Sequence, residues 1–337
     1  MEEIIVNGYV YPTVKPEVFK AWLPTMSLIS TFSYGMTPEG YLIPLDNEEL
    51  VTTASSENVG SLMVVTPMDA TGMFSENLVS EVLENPEAQQ RLLLEILNEM
   101  KKKDLFGVDF DFEYVPAQNR DQYTELVAKA AELFNKEGYL VTVALAPKTS
   151  ANQQGLLYQG HDYYGMGMAA NFVLIMTYEW GYTYSEPMAV APINKVEQVI
   201  NYATTEIPPD KILMGIPNYG YDWKLPYVKG ESRAEKISNE EAVRRAAEYG
   251  AEIMYDPIAQ TPHFTYWKAV MNPEGGGNEE AEYEQHEVWF EDERSYNAKM
   301  QLVKDYGLAG IGIWNIMYYS PFLEESINQN FMVAKVY

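Results

Sequence analysis

The stretch Leu105-Phe106-Gly107-Val108-Asp109-Phe110-Asp111-Phe112-Glu113-Tyr114 holds the residues of this chain best suited to chemistry. In an extended strand successive side chains alternate, so Asp109, Asp111 and Glu113 share one face and Val108, Phe110 and Phe112 the other. The apolar row needs cover from helices, which forces the carboxylates to the opposite side of the sheet. Like charges about 6–7 Å apart along one face repel, and burial raises the pKa of at least one of them. Such crowding does not serve stability; it suits proton transfer or cation binding. The plainer alternative is an edge strand with an acidic, solvated face.

The elements that must position these acids are legible as apolar runs. Eight strand candidates recur at 4–11, 28–34, 61–68, 105–114, 139–146, 171–178, 212–219 and 310–317, several continuously apolar as buried parallel strands tend to be. Helix patterns separate them. Asn85-Pro86 offers a cap and a first-turn proline ahead of the stripe Leu92, Leu93, Ile96, Leu97 and Met100. Asn119-Arg120-Asp121-Gln122 has the form of a capping box before Tyr123, Leu126, Val127 and Ala130. Helices are also expected over 192–205, ended by Pro208-Pro209, and over 296–306, ended by Gly307. Eight strands alternating with helices predict a (β/α)8 TIM barrel, with residues 1–337 as a single catalytic unit. One interval, about 224–288, is too long for a loop. Its capping box at Ser238, its short strands and its turn Gly275-Gly276-Gly277 predict a small α+β insertion between strands seven and eight. The acid-rich tract 279–287 is expected at a solvated hairpin end.

Composition narrows the function. In 337 residues, 23 Lys and Arg face 49 Asp and Glu, a formal charge of −26, which opposes any phosphate-backbone partner, so no nucleic acid is expected. The 47% of hydrophobic residues supports a full core. Cysteine is absent, which excludes disulfides, thiolate metal sites and a cysteine nucleophile. No apolar run approaches a membrane span, and the start Met1-Glu2-Glu3-Ile4-Ile5-Val6 has no secretory pattern, so neither membrane contact nor a secretory leader is expected and the cellular location stays open. There is no phosphate loop, no Gly-x-Ser-x-Gly elbow and no His-Glu-x-x-His among the three histidines.

The run Asp109-x-Asp111-x-Glu113, with Gly107 ahead of it, resembles the signature of glycoside hydrolase family 18, the chitinase-like (β/α)8 enzymes, although Leu105-Phe106 stand where the family's first Asp falls. Met176-Thr177-Tyr178-Glu179 resembles its strand-six Met-x-Tyr-Asp, with Glu for Asp, and 215–220 resembles its strand-seven Gly-x-Pro-x-Tyr-Gly. Tyr9 and Trp314 match its first-strand Tyr and last-strand Trp. Within the family, 31–35 leading into 39–45, Glu179-Trp180-Gly181-Tyr182, 187–192 and 249–252 are most similar to the spore cortex peptidoglycan N-acetylglucosaminidases of endospore formers, without their LysM modules.

This resemblance implies a retaining glycosidase acting on peptidoglycan or a chitin-like polymer, with a role in spore germination and no cofactor or metal. The substrate's own 2-acetamido oxygen is then the nucleophile. It implies Glu113 as proton donor, Asp111 as acceptor of the acetamido N–H and as the charge that raises the Glu113 pKa, Asp109 as the regulator of Asp111, and Tyr178 as the group that orients the acetamido oxygen. Trp314, Tyr9, Glu179, Met176, Asn218 and Tyr219 are implied substrate contacts, and a monomer is expected. Taken alone, Tyr178 and Trp314 read equally as core, Met176 as packing rather than contact, Asn218 and Tyr219 equally as strand caps, and Trp180, Tyr182, Tyr184, Tyr221 and Trp223 as sugar platforms or as contacts within the insertion. The alternative functions are a carbohydrate-binding lectin on the same fold, which has no need of Glu113, and a metal-dependent hydrolase, which needs histidines at strand ends.

Overall fold

In the computed structural model, which describes residues 1–270 and 282–337, eight of the apolar runs form parallel strands that close on themselves. They are β1 (Glu2–Val10), β2 (Leu28–Met36), β3 (Gly60–Val65), β4 (Gly107–Phe110), β5 (Leu140–Leu145), β6 (Phe172–Ile175), β7 (Ile212–Pro217) and β8 (Gly310–Trp314). Each pairs with the next, and β8 returns to β1 with Ile5 opposite Gly310, so the sheet has no free edge. The edge-strand alternative for the acidic run is thereby removed. A barrel of eight parallel strands with helices outside is the (β/α)8 architecture that the alternation predicted.

The two faces of β4 separate as their alternation requires. Val108, Phe110 and Phe112 are fully buried in the layer under the helices, where the Phe112 ring stacks on Tyr123 at 5.0 Å. Asp109 points inside. The strand is shorter than the sequence run: past Phe110 the Asp111 N–H still reaches Val65 O at 3.0 Å, and at Tyr114 the chain turns away in the left-handed region, φ 54°. Asp111 and Glu113 thus stand at the barrel's C-terminal mouth.

Helix ends follow local chemistry. The Asn85 side chain accepts from the Glu87 and Ala88 N–H groups to open Pro86–Lys103. Asp292 and Ser295 form a reciprocal capping box for Glu293–Tyr306, which ends at Gly307 with φ 60°. The box expected at Asn119 does not form. Its amide donates to Glu84 and Gln122, and its carbonyl accepts from Ser80, so three side chains compete successfully for the group that would have capped Arg120–Asn135.

The insertion is a five-stranded antiparallel sheet, in the order Glu235–Ile237, Gly220–Leu225, Glu282–Trp289, Thr261–Val270, Met254–Asp256. It draws in Gly220–Leu225, ahead of the expected start at Lys224, because Tyr221 and Trp223 alternate with Asp222 and pair with the later hairpin. Helix Asn239–Glu248, capped by Ser238, covers one face over Phe264, Tyr266 and Val288. The expected turn at Gly275-Gly276-Gly277 and the start of the acidic tract lie outside the described residues.

A hydrogen-bond chain fixes the insertion to the barrel, and a buried ion pair holds the segment where the chain rejoins it. Asn239 Nδ2 donates to the Tyr296 hydroxyl, which donates to Pro217 O at the end of β7. Lys299 and Glu291, both fully buried, pair at 3.0 Å. Removing one partner of such a pair strands a buried charge at a cost of about 3–5 kcal/mol, whereas an apolar pair of similar volume is close to neutral. Lys299→Met should therefore lower the urea unfolding midpoint strongly and Lys299→Met with Glu291→Leu should restore most of it; a single variant as stable as the parent would remove this contact from the account.

Candidate active site

The C-terminal ends of the strands open into a cleft of about 1100 Å³. That exceeds the roughly 300–1,000 Å³ of small-ligand sites and suits an oligomer. Asp111, Glu113, Met176, Tyr178, Glu179 and Trp314 all line it. Gly215 makes room for one of them: a Cβ there would stand 2.6 Å from Ile175 O and 2.8 Å from the Tyr178 ring. Trp314 is braced edge-on by Phe32 at 5.1 Å and lies 5.6 Å from Tyr9.

The backbone under the acids is clamped from outside the barrel. Tyr123 Oη takes the Phe112 N–H at 3.3 Å. His161 Nδ1 accepts the Ala146 N–H at 2.9 Å, so its Nε2 carries the proton and donates to Phe112 O at 2.8 Å. Burial pulls the His161 pKa down to about 4, which keeps the ring in that neutral tautomer.

The carboxylates differ by depth. Asp109 is fully buried and accepts from the Tyr9 hydroxyl at 2.8 Å and from Thr142 Oγ1 at 2.6 Å. Burial raises its pKa to about 6 against the pull of those two donors. Asp111 is pushed well above the usual range by burial and then by the charges of Glu113 and Asp109. Its Oδ1 is buried with no hydrogen-bond partner. Glu113, partly buried, is also raised, by burial first and then by Glu179. Asp111 and Glu113 repel each other across the mouth, which opposes ionisation of both at once. The repulsion assigned in the sequence to Asp111 thus has a second source at Glu113, the Glu179 carboxylate from the segment just past β6.

Other expected residues fall differently. The Tyr9 ring lines the cleft while its hydroxyl is committed to Asp109. Tyr219 and Tyr221 are buried and both donate to Glu179, at 2.5 and 2.9 Å. Asn218 is not brought to the cleft; its amide donates to Asn315 O and Tyr318 O and fixes the segment after β8. Trp180 and Tyr182 reach the cleft, Tyr184 is exposed, and Trp223, on the insertion's own strand, is buried against Val190, Tyr219 and Tyr221. Tyr11, Phe32, Thr66, Tyr114 and Lys236 line the cleft without having been singled out, since single residues on separate strands carry no spacing signal. Among the described residues no group of three or more His, Asp or Glu gathers to hold a metal ion.

Glu179 offers a direct handle on the proton at Glu113. Glu179→Gln removes the charge that presses on it, so the alkaline limb of the kcat/KM profile should move to lower pH. A limb that stays in place would mean that another group sets it.

A family model described as "Glycosyl hydrolases family 18" matches residues 70–318. The chain is 39% identical over 314 residues to the cortical fragment-lytic enzyme of Bacillus subtilis (strain 168), covering 93% of this chain and 69% of that one. It is 36% identical to the enzyme of the same description from Bacillus anthracis, covering 93% and 70%. The crystal structure of the Bacillus megaterium QM B1551 spore cortex-lytic enzyme SleL superposes with a TM-score of 0.90 at 35% identity, over 100% of this chain and 76% of that one. A chitinase from Chromobacterium violaceum shares the fold, with a TM-score of 0.85 at 22% identity over 97% and 98%. With the acidic run at the mouth of a closed barrel, these matches establish that the chain is a glycoside hydrolase and belongs to glycosyl hydrolases family 18.

Proposed function

We propose that this hydrolase cleaves β-linked N-acetylglucosamine in peptidoglycan of the spore-cortex kind, as a monomeric single-barrel enzyme, by substrate-assisted retention. The peptidoglycan substrate is supported by relatives described as cortical fragment-lytic and spore cortex-lytic enzymes. One observation carries the mechanism: the Asp111 Oδ1, buried beside Glu113 in the cleft, has no partner of its own. A buried carboxylate oxygen calls for a donor, and a substrate acetamido N–H is one of the right kind.

In this reading the groups divide the reaction among them. Glu113 gives its proton to the glycosidic oxygen as the bond from C1 to that oxygen breaks. The acetamido oxygen attacks C1 from the other face and forms an oxazolinium, whose N–H bonds to Asp111 and whose positive charge the carboxylate steadies. Tyr178 orients the acetamido oxygen, and its hydroxyl stays protonated because burial and the surrounding acids hold its pKa far above the usual value. Water, deprotonated by Glu113, opens the ring and restores the configuration. Trp314 and Met176 form the apolar floor under the sugar.

Glu113→Gln should cut turnover by about 10²–10⁴ while ligand binding persists. A thiazoline mimic of the cyclised intermediate should inhibit the parent enzyme. In Asp111→Asn, azide should yield no azido sugar of inverted configuration, since that product marks a protein carboxylate as nucleophile. Full turnover in Glu113→Gln together with no thiazoline inhibition would refute the mechanism, and undiminished binding without any turnover in the parent would favour a lectin.

A further inference from the structure

Among the described residues that line the cleft, Lys236 is the only cation, set among Glu76, Asp111, Glu113 and Glu179. It comes from the insertion, on the strand Glu235–Ile237, where it pairs with Tyr221. Its neighbours turn the other way: Ile237 is buried under helix Asn239–Glu248, and Glu235 pairs with Arg245 on that helix. Alternation therefore sends the Lys236 side chain to the barrel side.

There its ammonium lies 4.0 Å above the Tyr219 ring centre and 5.7 Å from that of Tyr221. Cation and ring attract at this range, which fixes the charge in place. Glu179 Oε1 forms a long ion pair with it at 4.0 Å, beyond hydrogen-bond reach, and already accepts from two tyrosines. No hydrogen-bond partner of the ammonium occurs among the described residues. The Lys236 side chain remains 47% exposed and lines the cleft, with three N–H donors to offer.

A cleft walled by carboxylates in a chain of charge −26 repels an anionic polymer. A neutral chain of N-acetylglucosamine has no use for a fixed cation at this point, whereas a peptidoglycan glycan carries a carboxylate on alternate sugars, either the free lactyl group or, where that is amidated, the groups of the attached peptide. Resting on the peptidoglycan reading above, we infer that Lys236 is a specificity-determining residue: it receives a carboxylate of the glycan and sets the preference for carboxylated over neutral substrate.

The test is a ratio, because a merely structural role would lower both of its members together. Glycan fragments of alternating N-acetylglucosamine and N-acetylmuramic acid are compared in three forms: with free lactyl carboxyl, as the methyl ester, and with the peptide stem retained. In the parent enzyme kcat/KM should favour the free acid or the stem form over the ester by about five- to tenfold, the weight of one charge-assisted hydrogen bond at a partly exposed site. The favoured form identifies the carboxylate source. Lys236→Met, which keeps the apolar stem over the ring, should bring the ratio to about one, chiefly through KM, and Lys236→Arg should retain it; high salt should shrink the parent ratio. The same fragments titrated calorimetrically into Glu113→Gln, with and without Lys236→Met, read the charge preference without turnover. An acid-to-ester ratio unchanged by Lys236→Met in both assays would overturn the inference. A parent enzyme that hydrolyses none of the fragments would overturn the peptidoglycan reading, while the binding ratio would still decide the role of Lys236.

Discussion

Everything at the mouth of the barrel depends on keeping three acids where water cannot fully solvate them. Asp109 is fully buried, Asp111 nearly so, and Glu113 partly. A buried carboxylate resists ionisation and pushes its neighbours to do the same, so depth, neighbouring charges and donors together grade the three. Asp109 is answered by Tyr9 and Thr142, two neutral donors from β1 and β5. Asp111 keeps one oxygen without an answer. Such a group is costly in the resting protein and is tolerated where the surroundings over-determine it. Here the over-determination is visible. Phe112 is held by Tyr123 and His161, and the Phe110, Phe112 and Tyr123 rings fill the space behind the strand.

The same constraint explains the insertion. A barrel strand end can offer one or two side chains to a site, and the cleft needs walls that exclude water from the acids. The insertion brings Lys236 to the cleft and is tied down by Asn239 and Tyr296, with the buried pair of Lys299 and Glu291 where the chain rejoins the barrel. Its first strand buries Tyr221 and carries the hydroxyl that, with that of Tyr219, holds Glu179. Glu179 in turn presses on the proton of Glu113. The insertion is thus electrically connected to the acid, and a strand far along the chain influences the protonation of β4.

What could be read in advance was what repeats or alternates. The two faces of Val108–Glu113, the eight apolar runs and the caps at Asn85 and Ser238 each have a period or a spacing, and each formed as expected. The acidic run, with Met176-Thr177-Tyr178-Glu179 and Trp314, was legible as one site because a barrel brings all its strand ends to one mouth. Illegible features had a different cause. Asn119 has the right type for a cap, yet tertiary neighbours took its side chain. Asn218 sits in a motif, yet it points to the segment after β8. Lys236 and His161 are single residues whose roles come from the strand register of the insertion and from a loop, and neither register nor loop path is written in local periodicity. Tyr221 and Trp223 were ambiguous for the same reason.

The central claim is that one proton is held between Asp111 and Glu113 near neutral pH because burial and the Glu179 charge oppose full ionisation. Neutron diffraction from a deuterated crystal of the unliganded enzyme at neutral pD locates that proton without recourse to kinetics. The account predicts nuclear density for one deuteron on a carboxylate oxygen of Glu113 or Asp111; both carboxylates free of deuterium would contradict it.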